Sequence, residues 1–296
     1  MKRYFLFVLI AVSILGVNAQ SSEIGIAGGV SFYMGDLNPD GVFRGSKPAG
    51  GLIYRYNINK RLAVKATALF GSMAAEDRDF GNVERNLSFT SSLSEVSAQF
   101  EVNFLKLYNE KGKNCIAPYL FVGVAVFSFN PRTELNGKWY DLQALGTEGQ
   151  DLNVTDTNGI RYDQRRYSLT NFSIPFGLGF RVNFLRFYSV GIEWGFRKTF
   201  TDYIDDVSGN YVGRDLFIEN RSQLIADLAD RTLSTKEVAG ETVPDYHKAG
   251  SARGTSKAKD WYSFATLNFT FKITDAIRDC SSPLQSRTAK RLPRKR

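Results

Sequence analysis

From Phe172 to Phe184 every even position is apolar: Phe172, Ile174, Phe176, Leu178, Phe180, Val182 and Phe184. Between them stand Ser173, Pro175, Gly177, Gly179, Arg181 and Asn183. After a short break the alternation resumes, with Tyr188, Val190, Ile192, Trp194 and Phe196 set against Ser189, Gly191, Glu193, Gly195 and Arg197. Side chains on a strand alternate faces with period two, so Tyr167–Phe200 is predicted to be two long antiparallel strands. One face is hydrocarbon and aromatic; the other mixes glycine with charge. A soluble sandwich rarely sustains such a face for so long. A membrane barrel turns it to lipid in segments of about ten residues.

The same pattern recurs along the chain. Strand one is expected over Glu23–Tyr33, strand two over Ala49–Tyr56, and strand three over Arg61–Ser72. In strand four, Val96, Ala98, Phe100, Val102 and Phe104 alternate with Glu95, Ser97, Gln99, Glu101 and Asn103. Strand five, Ala117–Phe129, is apolar on both faces, and the pattern does not orient it. Strands six and seven are the Tyr167–Phe200 pair, and strand eight is Trp261–Ile273. The eight strands are joined by connections that alternate short and long, the last long one covering residues 201–260. That sorting fits an all-β, eight-stranded antiparallel up-and-down transmembrane β-barrel with short periplasmic turns and long extracellular loops. Both termini would then lie in the periplasm.

In this reading the polar faces line the lumen. They carry Arg55, Lys65, Arg181, Arg197 and Lys272 against Glu23, Glu95, Glu101 and Glu193. An eight-stranded barrel is just wide enough for side chains to fill, and buried charges must be paired. The expectation is a salt-bridged plug rather than an open channel. Pro175 cannot donate to a ladder, which predicts a bulge there. Interfacial girdles are expected from Tyr56, Phe104, Tyr119 and Tyr188 at one end and from Phe32, Phe200 and Trp261 at the other.

Composition agrees with this class. Mean hydropathy is −0.24, too low for a helical membrane protein but compatible with a barrel, where only alternate residues face lipid. Lys2 and Arg3, the apolar run Tyr4–Val17 and Val17-Asn18-Ala19 read as a signal peptide over residues 1–19. The barrel is assigned to residues 20–273 and a basic periplasmic tail to 274–296. The net charge of +8 sits mostly in the signal and the tail, and the tail alone carries seven basic and two acidic groups. A nucleic-acid domain would spread its basic residues over a folded face, so that class is set aside. Arg287, Lys290, Arg291, Arg294, Lys295 and Arg296 could bind an acidic periplasmic protein or anionic headgroups; a solvated tail without a partner is the competing reading. Cys115 and Cys280 both fall on the periplasmic side, where a disulfide or two unpaired thiols are open alternatives.

Candidate chemistry is sparse. The one histidine, His247, lies in the last loop near Asp245 and lacks a recognisable catalytic motif, which favours a solvated loop histidine. Asp202, Asp205 and Asp206 lack the spacing and glycine of a calcium loop, leaving a solvated or arginine-paired cluster. Arg221–Asp230 carries a short helical pattern through Leu224, Ile225 and Leu228, expected to pack on the barrel mouth or to meet a partner. No catalytic, metal or cofactor site is assigned, and no small-molecule substrate is expected.

Several segments resemble a specific family. They are YMGDLNP (Tyr33–Pro39), NLSFTSSLSEVSAQFEVNF, PYLFVGVAVFSFNP followed by NGKWYDLQALGTEGQ, YSLTNFSIPFGLGF, GIEWGFRKTFTDYIDDVSG and SKAKDWYSF. In order and content they are similar to the PorG-like outer-membrane proteins (DUF6089) of Bacteroidota, over about residues 23–273. The resemblance implies a non-enzymatic component of the type IX secretion system that associates with the periplasmic PorK/PorN ring, in machinery coupled in many species to gliding motility. It offers no catalytic residues and does not extend to the tail after Cys280. The competing functions are an outer-membrane enzyme acting through its outer loops, a small passive pore, and a surface adhesin.

Overall fold

The computed structural model describes residues 21–273 apart from 40, 60, 106–114, 157–158, 185–186 and 239–240. The signal peptide and the basic tail lie outside the described residues. Eight strands wind around one axis: β1 (Ser21–Met34), β2 (Lys47–Asn57), β3 (Leu62–Glu76), β4 (Ser88–Asn103), β5 (Cys115–Leu135), β6 (Thr170–Phe184), β7 (Tyr188–Thr199) and β8 (Trp261–Lys272). Each pairs antiparallel with its sequence neighbours, and β8 returns to β1 in register from Glu23↔Lys272 to Met34↔Trp261. The sheet is therefore a closed up-and-down barrel without an edge. Closure matters physically, because a spanning strand must find all its hydrogen bonds within the protein.

The apolar face points outward and is exposed. On β6 the outward residues Phe172, Ile174, Phe176, Leu178 and Phe180 are all exposed, Phe172 at 69%. On β8 Leu267 is 61% exposed, beside its ladder partner Ile192 at 60%. A band nine residues long, at about 3.3 Å per residue and about 40° of tilt, stands about 23 Å tall. That matches the apolar band of a membrane-spanning barrel, and a water-soluble monomer does not expose a continuous apolar surface of this size. Among the described residues no helix is long and apolar enough to cross a membrane; the strands do the crossing.

Three walls continue past the band. β3, β4 and β5 extend to Glu76, back to Ser88 and on to Leu135, longer than the hydrophobic alternation suggests. Outward residues there are polar, as with Ser88, Thr90, Ser92 and Ser94 on β4. Their lumen partners are apolar: Met73, Phe89, Leu93, Phe127 and Phe129 are buried in one cluster with Tyr33, Tyr262 and Phe264. The lumen thus has two tiers, one charged and one aromatic. This resolves β5, whose Leu120, Val122, Val124 and Val126 face outward while Tyr119, Phe121, Ala125 and Phe127 fill the interior.

The structure corrects three local expectations. Pro175 produces no bulge. Its pairing with Arg197 stays in register, and on the other side the register before and after it is the same, Val122↔Phe176 and Ala125↔Ser173. The ladder is interrupted opposite Pro175 without an inserted residue, which is a smaller accommodation than a bulge. Tyr119 is not a girdle residue; it is 1% exposed and points into the lumen. Phe32 faces outward but is fully covered, because Phe43 of the β1–β2 loop folds over it with ring centroids 4.8 Å apart.

Candidate functional site

The lower tier of the lumen gathers all nine predicted charges in buried positions. At its centre Glu101 accepts from Arg55 Nε at 2.8 Å and lies 3.0 Å from Lys65 Nζ. Arg55 also donates to Glu23 Oε2 at 3.1 Å. Lys65 bridges onward to Glu193, which accepts from Tyr119 OH at 2.8 Å. Arg181 stands 3.8 Å from both Glu23 and Glu101 and donates to Asn103 Oδ1 at 3.0 Å. Higher in the lumen Arg197 forks onto Glu95 with contacts of 3.0 and 3.2 Å, and Tyr262 OH donates to the same carboxylate at 2.8 Å. Lys272 faces Glu23 across the β1–β8 ladder. Aromatic faces complete the packing, with Lys65 Nζ 4.6 Å from the Phe121 ring centre and Arg197 4.7 Å from that of Phe264. Strand alternation places these residues inside, and strand register decides which of them meet.

Tyr119 has room because residue 179 is glycine. A Cβ there would lie 2.4 Å from Tyr119 Cζ. Gly179→Ala should displace the phenol from Glu193 and cost about 1–3 kcal/mol by overpacking. Urea unfolding in lipid vesicles reads this directly, and a neutral result would show that Tyr119 has a second position.

Above the aromatic tier the β7–β8 loop closes the barrel mouth. Its two ends are stitched together: Asp260 N donates to Thr201 O, Tyr211 N to Ser251 O and Arg253 N to Gly209 O. Ile204 and Val207 insert into the cluster of Tyr33, Phe127 and Phe129. Around this insertion sits a buried polar shell. Arg253 donates to Glu148 Oε1 at 3.0 Å and to the Asp206 carbonyl at 2.5 Å. Glu148 also accepts from the Ser208 and Gly209 amides. Asp206 accepts from Tyr167 OH at 2.7 Å and from Thr147. Burial pushes the Asp206 carboxyl up to about 6 although Arg253 pulls it down, and burial likewise raises Asp202 to about 6. Arg253, beside Glu148 and Asp206, is held above its ordinary value against the effect of burial.

Asp202, Asp205 and Asp206 are therefore buried components of a cap and not a solvated cluster. Among the described residues no group of His, Cys, Asp or Glu has a metal-holding arrangement. His247 does not pair with Asp245, which instead meets Lys236 at 2.9 Å. Its ring and backbone nitrogens both contact Asp230, at 3.0 and 2.7 Å, and its ring stacks on Tyr211 with centroids 4.1 Å apart. The helical pattern at Arg221–Asp230 forms α2 (Gln223–Ala229) after α1 (Arg214–Asn220), capped by Ser222 Oγ accepting from Ile225 N. Ala226 and Ala229 pack with Phe217, Val212 and Leu152 in a second cluster. The backbone of Cys115 opens β5, but its side chain, Cys280, and the tail residues Arg287, Lys290, Arg291, Arg294, Lys295 and Arg296 lie outside the described residues.

Four segments that carry the family resemblance meet in this cap. YMGDLNP contributes Tyr33, NGKWYDLQALGTEGQ contributes Glu148, GIEWGFRKTFTDYIDDVSG contributes Asp202, Asp205 and Asp206, and SKAKDWYSF contributes Asp260. A family model described as a domain of unknown function (DUF6089) matches residues 2–147. In DUF6089 terms the matched part spans β1–β5 and ends in the loop beside Glu148. No curated protein matches the chain. Similar solved structures include Ail, the attachment invasion locus protein of Yersinia pestis (10% identity, TM-score 0.36, covering 86% of this chain and 97% of that one). Neisserial surface protein A is another (8% identity, TM-score 0.37, 87% and 99%). A third is the N-terminal β-barrel domain of Pseudomonas aeruginosa OprF (9% identity, TM-score 0.33, 86% and 100%).

Proposed function

We propose that the chain is a non-enzymatic structural barrel of the outer membrane and part of a type IX protein secretion machinery. It would associate through its short-turn end with periplasmic ring proteins of the PorK/PorN type. The observation that carries the structural half of this reading is the lumen, where buried carboxylates and cations are engaged with one another and not with a path for solute. The exposed apolar band supports the membrane location, and the motifs quoted above support the machinery. The long loops then face outward, and both termini and the basic tail face the periplasm.

The test is photo-cross-linking in intact envelopes from Arg61, an exposed residue beside the β2–β3 turn. Capture of a ring protein is expected, and planar bilayers holding the purified barrel should show no steady conductance. A conducting barrel would favour a small pore. Cross-links that never include a ring component, from either Arg61 or the tail, would remove the secretion assignment.

A further inference from the structure

Tyr33 has one phenolic hydrogen, and two carboxylates approach its oxygen. Asp205 Oδ2 is 2.5 Å away and Asp260 Oδ1 is 3.0 Å away. The other oxygen of each carboxylate already accepts a backbone N–H: Val207 N to Asp205 Oδ1 at 2.9 Å, and Ile204 N to Asp260 Oδ2 at 2.8 Å. A phenol donates once and accepts through its lone pairs. It can satisfy one carboxylate as donor, and the second must bring its own hydrogen. The lengths assign the direction, since an O–H bond to an ionised carboxylate is about 2.5–2.7 Å and one between neutral groups is longer. The chain runs Asp260 Oδ1–H to Tyr33 Oη–H to Asp205 Oδ2.

We propose that this single proton is a latch that holds the β7–β8 loop in the barrel mouth, so that the cap closes in acid and loosens as pH rises. The three groups come from three places: Tyr33 from the end of β1, Asp260 from the last residue of the β7–β8 loop, where it joins β8, and Asp205 from the part of that loop inserted in the mouth. Gly35 permits the approach, because a Cβ there would stand 2.1 Å from both Asp260 Oδ1 and Tyr33 Oη. The surrounding charges do not supply a substitute. Asp36, Asp202, Asp206 and Glu148 are acidic, and Asp77 neutralises Arg85 through a part-buried ion pair. Arg253 is taken up by Glu148 and Asp206, and Lys259 faces Asp202. Burial raises both carboxyls, Asp205 to about 8 and Asp260 well above its usual range, and the neighbouring Asp205 charge adds to the shift at Asp260, so the pair keeps a proton that the 2.5 Å and 3.0 Å contacts place on Asp260.

The sign follows from proton counting. The closed cap keeps a proton that a solvated carboxyl gives up near pH 4. The closed state therefore binds more protons from that pH upward until the latch itself titrates. Over that window the latch proton alone should raise the opening constant about tenfold per pH unit, and Asp202 and Asp206 add to the slope up to about pH 6. The experiment uses the full mature chain in lipid nanodiscs, with hydrogen exchange of residues 201–211 corrected for the intrinsic chemical rate. In the wild type the opening constant should climb between about pH 5 and 7. In Asp260→Asn the climb should be shallower by about one proton, because the amide donates to Tyr33 and still accepts from Ile204 at any pH, and the slope that remains comes from the other buried carboxyls, Asp202 and Asp206 at about 6 among them. A wild-type opening constant independent of pH overturns the latch, and so does an unchanged slope in Asp260→Asn. Infrared difference spectra give a second readout: a protonated carboxyl stretch at pH 7 should be lost in Asp260→Asn, and its persistence there places the proton elsewhere. None of these outcomes depends on the secretion assignment.

Discussion

Glu101→Gln is expected to cost about 3–5 kcal/mol of folding stability, the range for removing one partner from a buried ion network. Glu101 is fully buried, and its two oxygens receive Arg55 and Lys65, with Arg181 at 3.8 Å. Glutamine keeps the shape and one acceptor, but it turns an amide donor toward cations that are themselves donors. Three positive groups then share Glu23 and Glu193. The cost comes from the charge left behind more than from the bond removed. Glu101→Gln combined with Arg55→Gln should accordingly recover part of the loss. Urea unfolding in lipid vesicles, followed by tryptophan fluorescence, gives both values. A loss under about 1 kcal/mol would mean that water enters the lumen and solvates the cations, and bilayer conductance of the same variant would show it.

The lumen was legible because strand alternation is a local rule. Arg181, Glu193 and Arg197 could be assigned to one face from their immediate neighbours alone. Which of them would pair was not legible, because pairing depends on strand stagger around the barrel. Lys65 and Glu193 are far apart in sequence and come from opposite walls. The aromatic tier escaped for a different reason. At Phe127 and Phe129 the inward face is apolar and the outward neighbours Ser128 and Asn130 are polar, whereas lower on the same strand the outward Leu120, Val122 and Val124 are apolar, so periodicity over the whole strand carries no orientation. A clue existed in β4, where Ser88, Thr90, Ser92 and Ser94 put polar residues on the face that lower down holds Val96 and Phe100. The wall has left the membrane there, and its inward residues form an ordinary protein core.

The cap shows the complementary limit. Asp202, Asp205 and Asp206 stand out as a cluster, for which the sequence leaves a solvated or an arginine-paired state open; Arg253 pairs with Asp206, and burial excludes the solvated state. Their partners Tyr33, Thr147, Tyr167, Glu148 and Arg253 come from the β1 end, the β5–β6 loop and the far part of the β7–β8 loop. No spacing rule links such residues. The segments that resemble the DUF6089 family mark them indirectly, because the scattered motifs converge where Ile204 and Val207 enter the barrel. His247 had a similar fate. Asp245 is its neighbour in sequence, but the chain turns back so that Asp230 receives both its backbone and ring nitrogens.

Leu267→Arg provides the sharpest test of what surrounds the barrel. Leu267 lies mid-strand on β8, outward and exposed, between Ile192 on β7 and Gly28 on β1. In water an arginine at so exposed a site changes stability by no more than about 0.5 kcal/mol. At the midplane of a bilayer it costs about 2–4 kcal/mol, falling to about 0–1 near the interface. Phe200 follows β7 near the upper rim and is equally exposed, so Phe200→Arg should cost little. Equilibrium unfolding of both variants in lipid vesicles should therefore separate them by at least about 1 kcal/mol. Equal and negligible costs would mean that the apolar band meets water or another protein rather than lipid. Equal and large costs would place Phe200 within the hydrocarbon layer and raise the band's upper boundary at least to its level.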